Sequence, residues 1–145
     1  MTPPPPTVRL EFGSAFDMLD FVQVVSDYVG RLAGLDEDQL YEVSVAVRES
    51  VVNAIKHGNQ SDQSKRVIVE FSVEPRERMT IRVQDQGEGF DPDDIPDPLA
   101  PENIMKGSGR GILFMRNYMD DVTLQRAQSG GMEARMVKMA SRSES

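Results

Sequence analysis

The feature that most constrains the fold is a change in the spacing of the apolar residues near the middle of the chain. From Leu40 to Val51 they recur every three or four positions, whereas after the polar loop NQSDQSK (59–65) they alternate from Val67 to Val73. The first spacing is typical of a helix with one buried face, and the second of a half-buried strand. The chain therefore combines a helical layer with a sheet.

The first half of the chain predicts a strand and two helices. The segment VRLEF (8–12) alternates and predicts a strand, after which Ser14, with Asp17 three positions on, is interpreted as the cap of a helix that reaches Leu32 and ends at Gly34. The second helix begins at DEDQ (36–39), which has the spacing of a capping box. It continues to about Lys56, with Gly58 as its stop signal.

The second half predicts two hairpins separated by a long irregular segment. The turn EPRER (74–78) joins two alternating strands, and residues 87–106 contain four prolines. A third helix is expected at about Gly111–Met119, followed by a hairpin whose turn is SGG (129–131). The fold class is α+β: a two-layer α/β sandwich with a mixed, mostly antiparallel sheet and helices on one face.

Length and composition bound the organisation and the function. The 145 residues predict one domain at 8–139, with a disordered Pro-rich stub at 1–7 and a flexible tail at 140–145. The net charge of −8 argues against nucleic acid and anionic membranes as partners. No apolar run approaches the roughly 18 residues of a membrane span. The absence of cysteine excludes disulfides and fits a cytoplasmic protein.

Asp85 is an unusual residue for its position. It follows Met79, Ile81 and Val83 in register, so it is expected to point toward the core. A buried carboxylate needs a hydrogen-bond donor, which a ligand can supply. Gly87 and the next glycine, Gly89, would let a flat group approach the backbone. The motif alone is equally compatible with an ordinary turn at the end of a strand.

A second glycine-rich segment, GSGRGI (107–112), precedes the third predicted helix. Backbone N–H groups at a helix N-terminus bind anions, and Lys106 and Arg110 add positive charge. The segment is not a phosphate-binding loop of the Walker type, because no Gly-Lys-Ser/Thr follows. Taken alone, it is also compatible with a flexible loop.

Glu49 and Asn53 lie four residues apart on the second predicted helix, and so on one face of it. An amide oxygen is a hard ligand suited to Mg²⁺, which keeps waters and phosphate oxygens in its shell. A carboxylate one turn away could accept a proton from an attacking hydroxyl. Each residue alone is also compatible with a solvated helix end.

The order and separation of these motifs are more specific than any one of them. Their order resembles that of the GHKL ATPase superfamily and its Bergerat ATP-binding fold. It consists of a helix with E-x-x-x-N, then D-x-G-x-G at the end of a strand, then a Pro-rich segment, and then G-x-G-x-G before a helix. VRESVVNAIKHGN (47–59), DQGEGFDP (85–92) and GSGRGILFMRNYMDDV (107–122) are similar to the bacterial anti-sigma-factor serine/threonine kinases. The resemblance covers about Val8 to Met139.

The resemblance implies a role for each motif residue. Asn53 would coordinate the Mg²⁺ of Mg-ATP, Glu49 would be the general base, and Asp85 would accept a hydrogen bond from the adenine amino group. Gly87 and Gly89 would let the base approach, and residues 91–106 would form a lid over the nucleotide. The expected phosphate-binding residues are Lys106, Gly107, Gly109, Arg110 and Gly111.

The resemblance also implies partners. Such a kinase sequesters a sigma factor and phosphorylates a Ser or Thr of a STAS-domain antagonist, and it is commonly a homodimer. Gln23 stands where relatives often carry an Arg on the face that binds partners. The alternative is a nucleotide-gated binding module that grips a regulatory protein without phosphorylating it. A target other than a sigma factor also remains open.

Overall fold

A computed structural model describes residues 7–88, 115–127 and 130–141. Its helical segments are a 3₁₀ turn at Phe16–Met18, α1 at Leu19–Leu32, α2 at Glu37–Asn53, and a π-helical turn at Ala54–Gly58. Its strands are β1 at Val8–Gly13, β2 at Arg66–Glu74, β3 at Arg78–Gln84, β4 at Asp121–Arg126 and β5 at Met132–Met139. Residues 115–118 are also helical, which agrees with the described part of the third predicted helix.

The strands form one five-stranded sheet in the order β1-β2-β3-β5-β4. All four pairings between the described strands are antiparallel, which confirms the predicted α+β class and the mostly antiparallel sheet. The last two strands pair as the hairpin expected around SGG. Because β5 pairs with both β3 and β4, the turn before β5 lies beside the end of β3.

The core lies between one face of the sheet and the two long helices. Phe71 and Ile81 are opposite each other on β2 and β3, and both are fully buried together with Val47 of α2. The other face carries the paired Glu70 and Arg82, which stay partly exposed. The alternation therefore predicted correctly which face is buried.

The ends of the helices follow local hydrogen bonds. The predicted capping box at α2 is confirmed, because the Asp36 side chain accepts from the Gln39 N–H and the Gln39 side chain accepts from the Asp36 N–H. The predicted cap at Ser14 is wrong. The 3₁₀ turn begins after Ala15 without a side-chain cap, and Ser14 Oγ instead donates to the Lys65 carbonyl at 2.7 Å.

Two polar contacts hold the helical layer together. Gln23 Nε2 on α1 donates to the Ser44 carbonyl on α2 at 2.8 Å. Lys138 on β5 is buried and donates to a carboxylate oxygen of Glu42 on α2 at 2.8 Å, as well as to the Tyr118 carbonyl. Lys138 therefore connects α2 to the helical residues 115–118. None of the helices within the described ranges is long and apolar enough to cross a membrane.

Candidate functional site

Asp85 follows β3 directly and is only 5% exposed, as the alternation predicted. Its Oδ1 accepts hydrogen bonds from the Gly87 N–H at 3.0 Å and from the Met132 N–H at 3.1 Å. Its own N–H donates to the Met132 carbonyl at 3.0 Å. The carboxylate is therefore fixed by backbone groups of its own turn and of β5, and these contacts use Oδ1.

Three glycines enclose Asp85 so closely that no side chain fits at any of them. A Cβ on Gly58 would lie 2.0 Å from Asp85 Oδ2, and one on Gly131 would lie 2.1 Å from the Asp85 carbonyl oxygen. A Cβ on Gly87 would lie 1.9 Å from the Gly58 carbonyl oxygen. The site thus joins the end of α2, the turn after β3 and the turn before β5.

Glu49 and Asn53 lie on this same α2, both partly exposed, with Asn53 as its last residue. The helix continues as the π turn Ala54–Gly58, closed by a hydrogen bond of 2.8 Å from the Asn59 N–H to the Ala54 carbonyl. Gly58, which contacts Asp85, is the last residue of this turn and lies five positions after Asn53. Glu49, Asn53 and the contact of Gly58 with Asp85 therefore follow one another along α2 and its π turn.

Asn59 is a polar residue of this region to which sequence reasoning assigned no role. It is 0% exposed, and its Nδ2 donates to Ser14 Oγ at 2.8 Å and to the Arg66 carbonyl at 2.9 Å. Its Oδ1 accepts from the Gln86 N–H at 2.7 Å. One side chain thereby joins the segment after β1, the start of β2 and the turn that carries Asp85.

Sequence reasoning also missed the contribution of Gly58 and Gly131. Gly58 was interpreted as a helix stop, and Gly131 as part of a hairpin turn, and both interpretations describe their local geometry. Their contact with Asp85 depends on tertiary packing, for which a single sequence carries no periodic signal.

The other predicted site residues lie outside the described part of the chain. They are Gly89, Lys106, Gly107, Gly109, Arg110 and Gly111, and the proposed lid at 91–106 lies there too.

The charged groups around the described site are few. Lys56 and His57 are exposed in the last turn before Gly58. In the loop that follows, hydrogen bonds from the Ser64 hydroxyl and N–H lower the pKa of Asp62 below its ordinary value of 3.8. No cluster of three or more His, Cys, Asp or Glu side chains within the described ranges could hold a metal ion. A divalent ion at Asn53 would therefore need ligands from phosphate or water.

The helical layer on an antiparallel sheet, with an enclosed carboxylate at the end of β3, is consistent with the fold of the GHKL ATPase domains. The sequence agrees with this class, because residues 18–138 match the family model described as the histidine kinase-like ATPase domain. The chain belongs to this family, and within it to the bacterial anti-sigma factors and serine-protein kinases that resemble RsbW.

Relatives in this group are similar over most of their length. The anti-sigma F factor of Clostridium perfringens is 33% identical over 136 residues, which are 90% of this chain and 94% of that protein. The anti-sigma F factor of Bacillus subtilis is 32% identical over 143 residues, 94% of each chain. The serine-protein kinase RsbW of Bacillus licheniformis is 31% identical over 75% of this chain and 70% of its own.

Solved structures agree on the fold. A Mycobacterium tuberculosis protein comprising RsbU and RsbW domains superposes with a TM-score of 0.65 at 15% identity, over 97% of this chain and 34% of that one. The mycobacterial sensor histidine kinase MprB gives a TM-score of 0.56 at 17% identity, over 91% of this chain and 97% of that one.

Proposed function

We propose that the protein is an ATP-dependent serine/threonine protein kinase that also acts as an anti-sigma factor. The observation that carries the proposal is the position of Asp85, enclosed by glycines at the end of the helix that bears Glu49 and Asn53. The relatives named anti-sigma F factor and serine-protein kinase support both parts of this function.

The hydrogen bonds and packing of the Asp85 carboxylate are compatible with ATP as the ligand. Backbone N–H groups of Gly87 and Met132 occupy Oδ1, whereas Oδ2 packs against Gly58 and is the carboxylate oxygen that we propose receives the base. A carboxylate oxygen can accept a hydrogen bond from the amino group on ring carbon 6 of adenine. Guanine and inosine carry a carbonyl oxygen at that carbon and cannot donate this bond. The fit therefore favours adenine as the base that is recognised.

Glu49 and Asn53 would act at the triphosphate end of the nucleotide. ATP, bound with Mg²⁺, supplies the phosphoryl group. The Asn53 amide oxygen would hold the metal ion, and the Glu49 carboxylate would take the proton from the Ser or Thr hydroxyl of a protein substrate. Gly107, Gly109, Gly111, Lys106 and Arg110 are proposed to bind the phosphates, and Gly89 to line the base.

The proposed partners are a sigma factor and a STAS-domain antagonist that is phosphorylated on Ser or Thr, with a homodimer as the working unit. The proposed catalytic domain spans 8–139, and the proposed location is the cytoplasm. Gln23, which stands where relatives often carry an Arg on the face that binds partners, donates to α2, so docking would use other residues of α1.

A phosphotransfer assay tests the proposal. Wild type, Glu49→Ala and Glu37→Ala would be immobilised, supplied with lysate of the source organism and Mg-ATP, and new phosphosites mapped by mass spectrometry. Glu37 is the matched control, because it is an exposed Glu at the opposite end of α2. Since a positioned base contributes roughly 10²–10⁴-fold, Glu49→Ala should lose most of the phosphorylation that the other two retain.

Two other results would change the conclusion. Equal phosphorylation by wild type and Glu49→Ala would remove Glu49 from the role of base. Capture of a partner without phosphorylation by any of the three proteins would favour the nucleotide-gated binding module instead.

A further inference from the structure

We infer that Asn59 is a positioning residue for recognition of the base, acting through the backbone of Gln86. This inference rests on the proposed binding of ATP at Asp85, and it assigns a role to a side chain that would not itself contact the nucleotide. Its basis is the set of three hydrogen bonds that the buried Asn59 amide makes.

The geometry of these bonds leaves the amide little freedom. Both N–H groups of Nδ2 are used, one on Ser14 Oγ and one on the Arg66 carbonyl, so the side chain cannot rotate without leaving buried groups unpaired. Ser14 is itself buried and held by its donation to the Lys65 carbonyl. The Oδ1 atom is therefore presented in a fixed direction.

That fixed oxygen determines where the Asp85 turn lies. It accepts the N–H of Gln86, the residue between Asp85 and Gly87, at 2.7 Å. The Gln86 side chain adds a second connection, because its Oε1 accepts the Arg66 N–H at 2.7 Å. The turn is thus bound to the start of β2 through both its backbone and its side chain, and the backbone connection passes through Asn59.

The physical consequence is that Asn59 holds the turn that carries Asp85 from the side of β2. The Met132 N–H of β5 holds the turn on one side, so without Asn59 the backbone of the turn loses its bond to the β2 side. A displaced turn would still bury its apolar neighbours but would aim Oδ2 away from the base. Loss of Asn59 should therefore reduce selectivity for adenine more than it reduces nucleotide affinity in general.

The selectivity between ATP and inosine triphosphate measures this directly. Inosine carries a carbonyl oxygen where adenine carries the amino group, so it cannot donate to Asp85. If a variant is folded to a smaller fraction, the apparent affinities for both nucleotides fall by the same factor. The ratio of the two dissociation constants therefore does not depend on the stability of the variant. We expect Asn59→Ala to narrow the preference of the wild type for ATP by about three- to tenfold, the equivalent of one hydrogen bond.

Val29→Ala is the matched control for lost stability. Val29 is buried on α1, next to Gly30, which faces Leu40 and Met79 at the opposite end of β3 from Asp85. It should lower the melting temperature without changing the ATP-to-inosine triphosphate ratio. The inference is overturned if Asn59→Ala retains the wild-type ratio, or if Val29→Ala narrows it equally.

A second measurement separates this inference from the proposed function. The exchange rate of the Gln86 amide, measured by NMR without nucleotide, should rise at least tenfold in Asn59→Ala and stay unchanged in Val29→Ala. If the wild type binds neither nucleotide, the proposed function fails, and this rate alone decides whether Asn59 positions the turn. If Asn59→Ala does not fold, Ser14→Ala replaces it in both measurements, and wild-type values there would overturn the inference.

Discussion

The carbonyl oxygen of Gly58 lies so close to the α-carbon of Gly87 that a Cβ at residue 87 would stand 1.9 Å from it. Gly58 ends the π turn after α2, and Gly87 belongs to the turn after β3. The contact therefore sets the distance between the helix that carries Glu49 and Asn53 and the turn that carries Asp85. A glycine on both sides permits this approach, and a π turn in a helix is frequently found at functional sites.

Gly87→Ala should separate these two elements. The added methyl group meets backbone rather than a flexible side chain, so the turn or the helix end has to move, at a cost of about 1–3 kcal/mol. We expect ATP affinity, measured by calorimetry, to fall at least tenfold in this variant, because Asp85 and α2 no longer meet at the same distance.

Gly130→Ala is the control for this substitution. Gly130 has a φ of 103°, which is unfavourable for alanine, but a Cβ there would have no heavy atom within 4 Å. The substitution should therefore lower the free energy of unfolding by about 1–3 kcal/mol through backbone strain and leave the ATP affinity unchanged. If both variants weaken ATP binding in proportion to their loss of stability, the close approach of Gly58 and Gly87 has no specific role in the site.

Asp85→Asn should abolish selective ATP binding with little loss of fold. An asparagine can keep its Oδ1 as acceptor for the N–H groups of Gly87 and Met132, and its Nδ2 then replaces the Oδ2 that lies beside Gly58. A donor now faces the adenine amino donor, so we expect at least a tenfold loss of ATP affinity by calorimetry. Unchanged affinity would show that Asp85 does not receive the base.

The fold could be predicted from the sequence because its signals are local. The alternation of Met79, Ile81 and Val83 is set by the two-residue period of a strand, so it also predicted the burial of Asp85. The capping box at Asp36 was predictable for the same reason, since both of its partners lie within four residues.

The site was only partly predictable because its support comes from distant positions. Asn59 bonds to Ser14, 45 positions earlier, and to the Gln86 N–H, 27 positions later. Neither partner produces a recognisable sequence pattern around Asn59. In the sequence, Asn59 follows a glycine that ends a helix, so it resembles an ordinary loop residue. The error at Ser14 has the same origin: its hydroxyl matches a local cap, but the buried Asn59 and Lys65 carbonyl engage it instead.

Ser64→Ala should raise the pKa of Asp62 in the loop that follows Asn59. The Ser64 hydroxyl donates to Asp62 Oδ1 at 2.6 Å, and this bond is the largest cause of the lowered pKa. Because the folded pKa lies below the ordinary 3.8, the carboxylate favours folding above that value, and its contribution is lost as the pH falls through the folded pKa. An NMR titration of the carboxyl carbon measures the change.

The control for this titration is Ser72→Ala, which changes an exposed serine six positions after the start of β2, opposite Thr80 of β3. It should leave the Asp62 pKa where it is in the wild type, whereas Ser64→Ala should move it upward toward 3.8. The backbone N–H of Ser64 remains in the variant and also lowers the pKa, so a residual downward shift is expected. A pKa that does not rise in Ser64→Ala would contradict the assigned cause.

Glu42→Ala should destabilise the fold far more than Glu37→Ala, although both remove an ion-paired Glu from α2. The side chain of Lys138, the partner of Glu42, is 8% exposed, whereas Arg31, the partner of Glu37, is 59% exposed. Removing Glu42 leaves a buried ammonium group whose remaining described bond is to the Tyr118 carbonyl. Since Glu42 is itself about one-third exposed, we expect a loss of about 2 kcal/mol, below the 3–5 of a fully buried pair.

Glu37 provides the comparison because its ion pair is on the surface, where such pairs contribute at most about 1 kcal/mol. Its place in the first turn of α2 adds a small favourable interaction with the helix dipole, also below about 1 kcal/mol. Urea denaturation of the wild type, Glu42→Ala and Glu37→Ala measures the free energy of unfolding that each substitution removes. Because Lys138 joins α2 to the helical residues 115–118, Glu42→Ala should also speed amide exchange at Met119, whose N–H donates to the Met115 carbonyl. Equal losses in the two variants would mean that the Lys138 ammonium finds compensation elsewhere and that burial does not determine the strength of this pair.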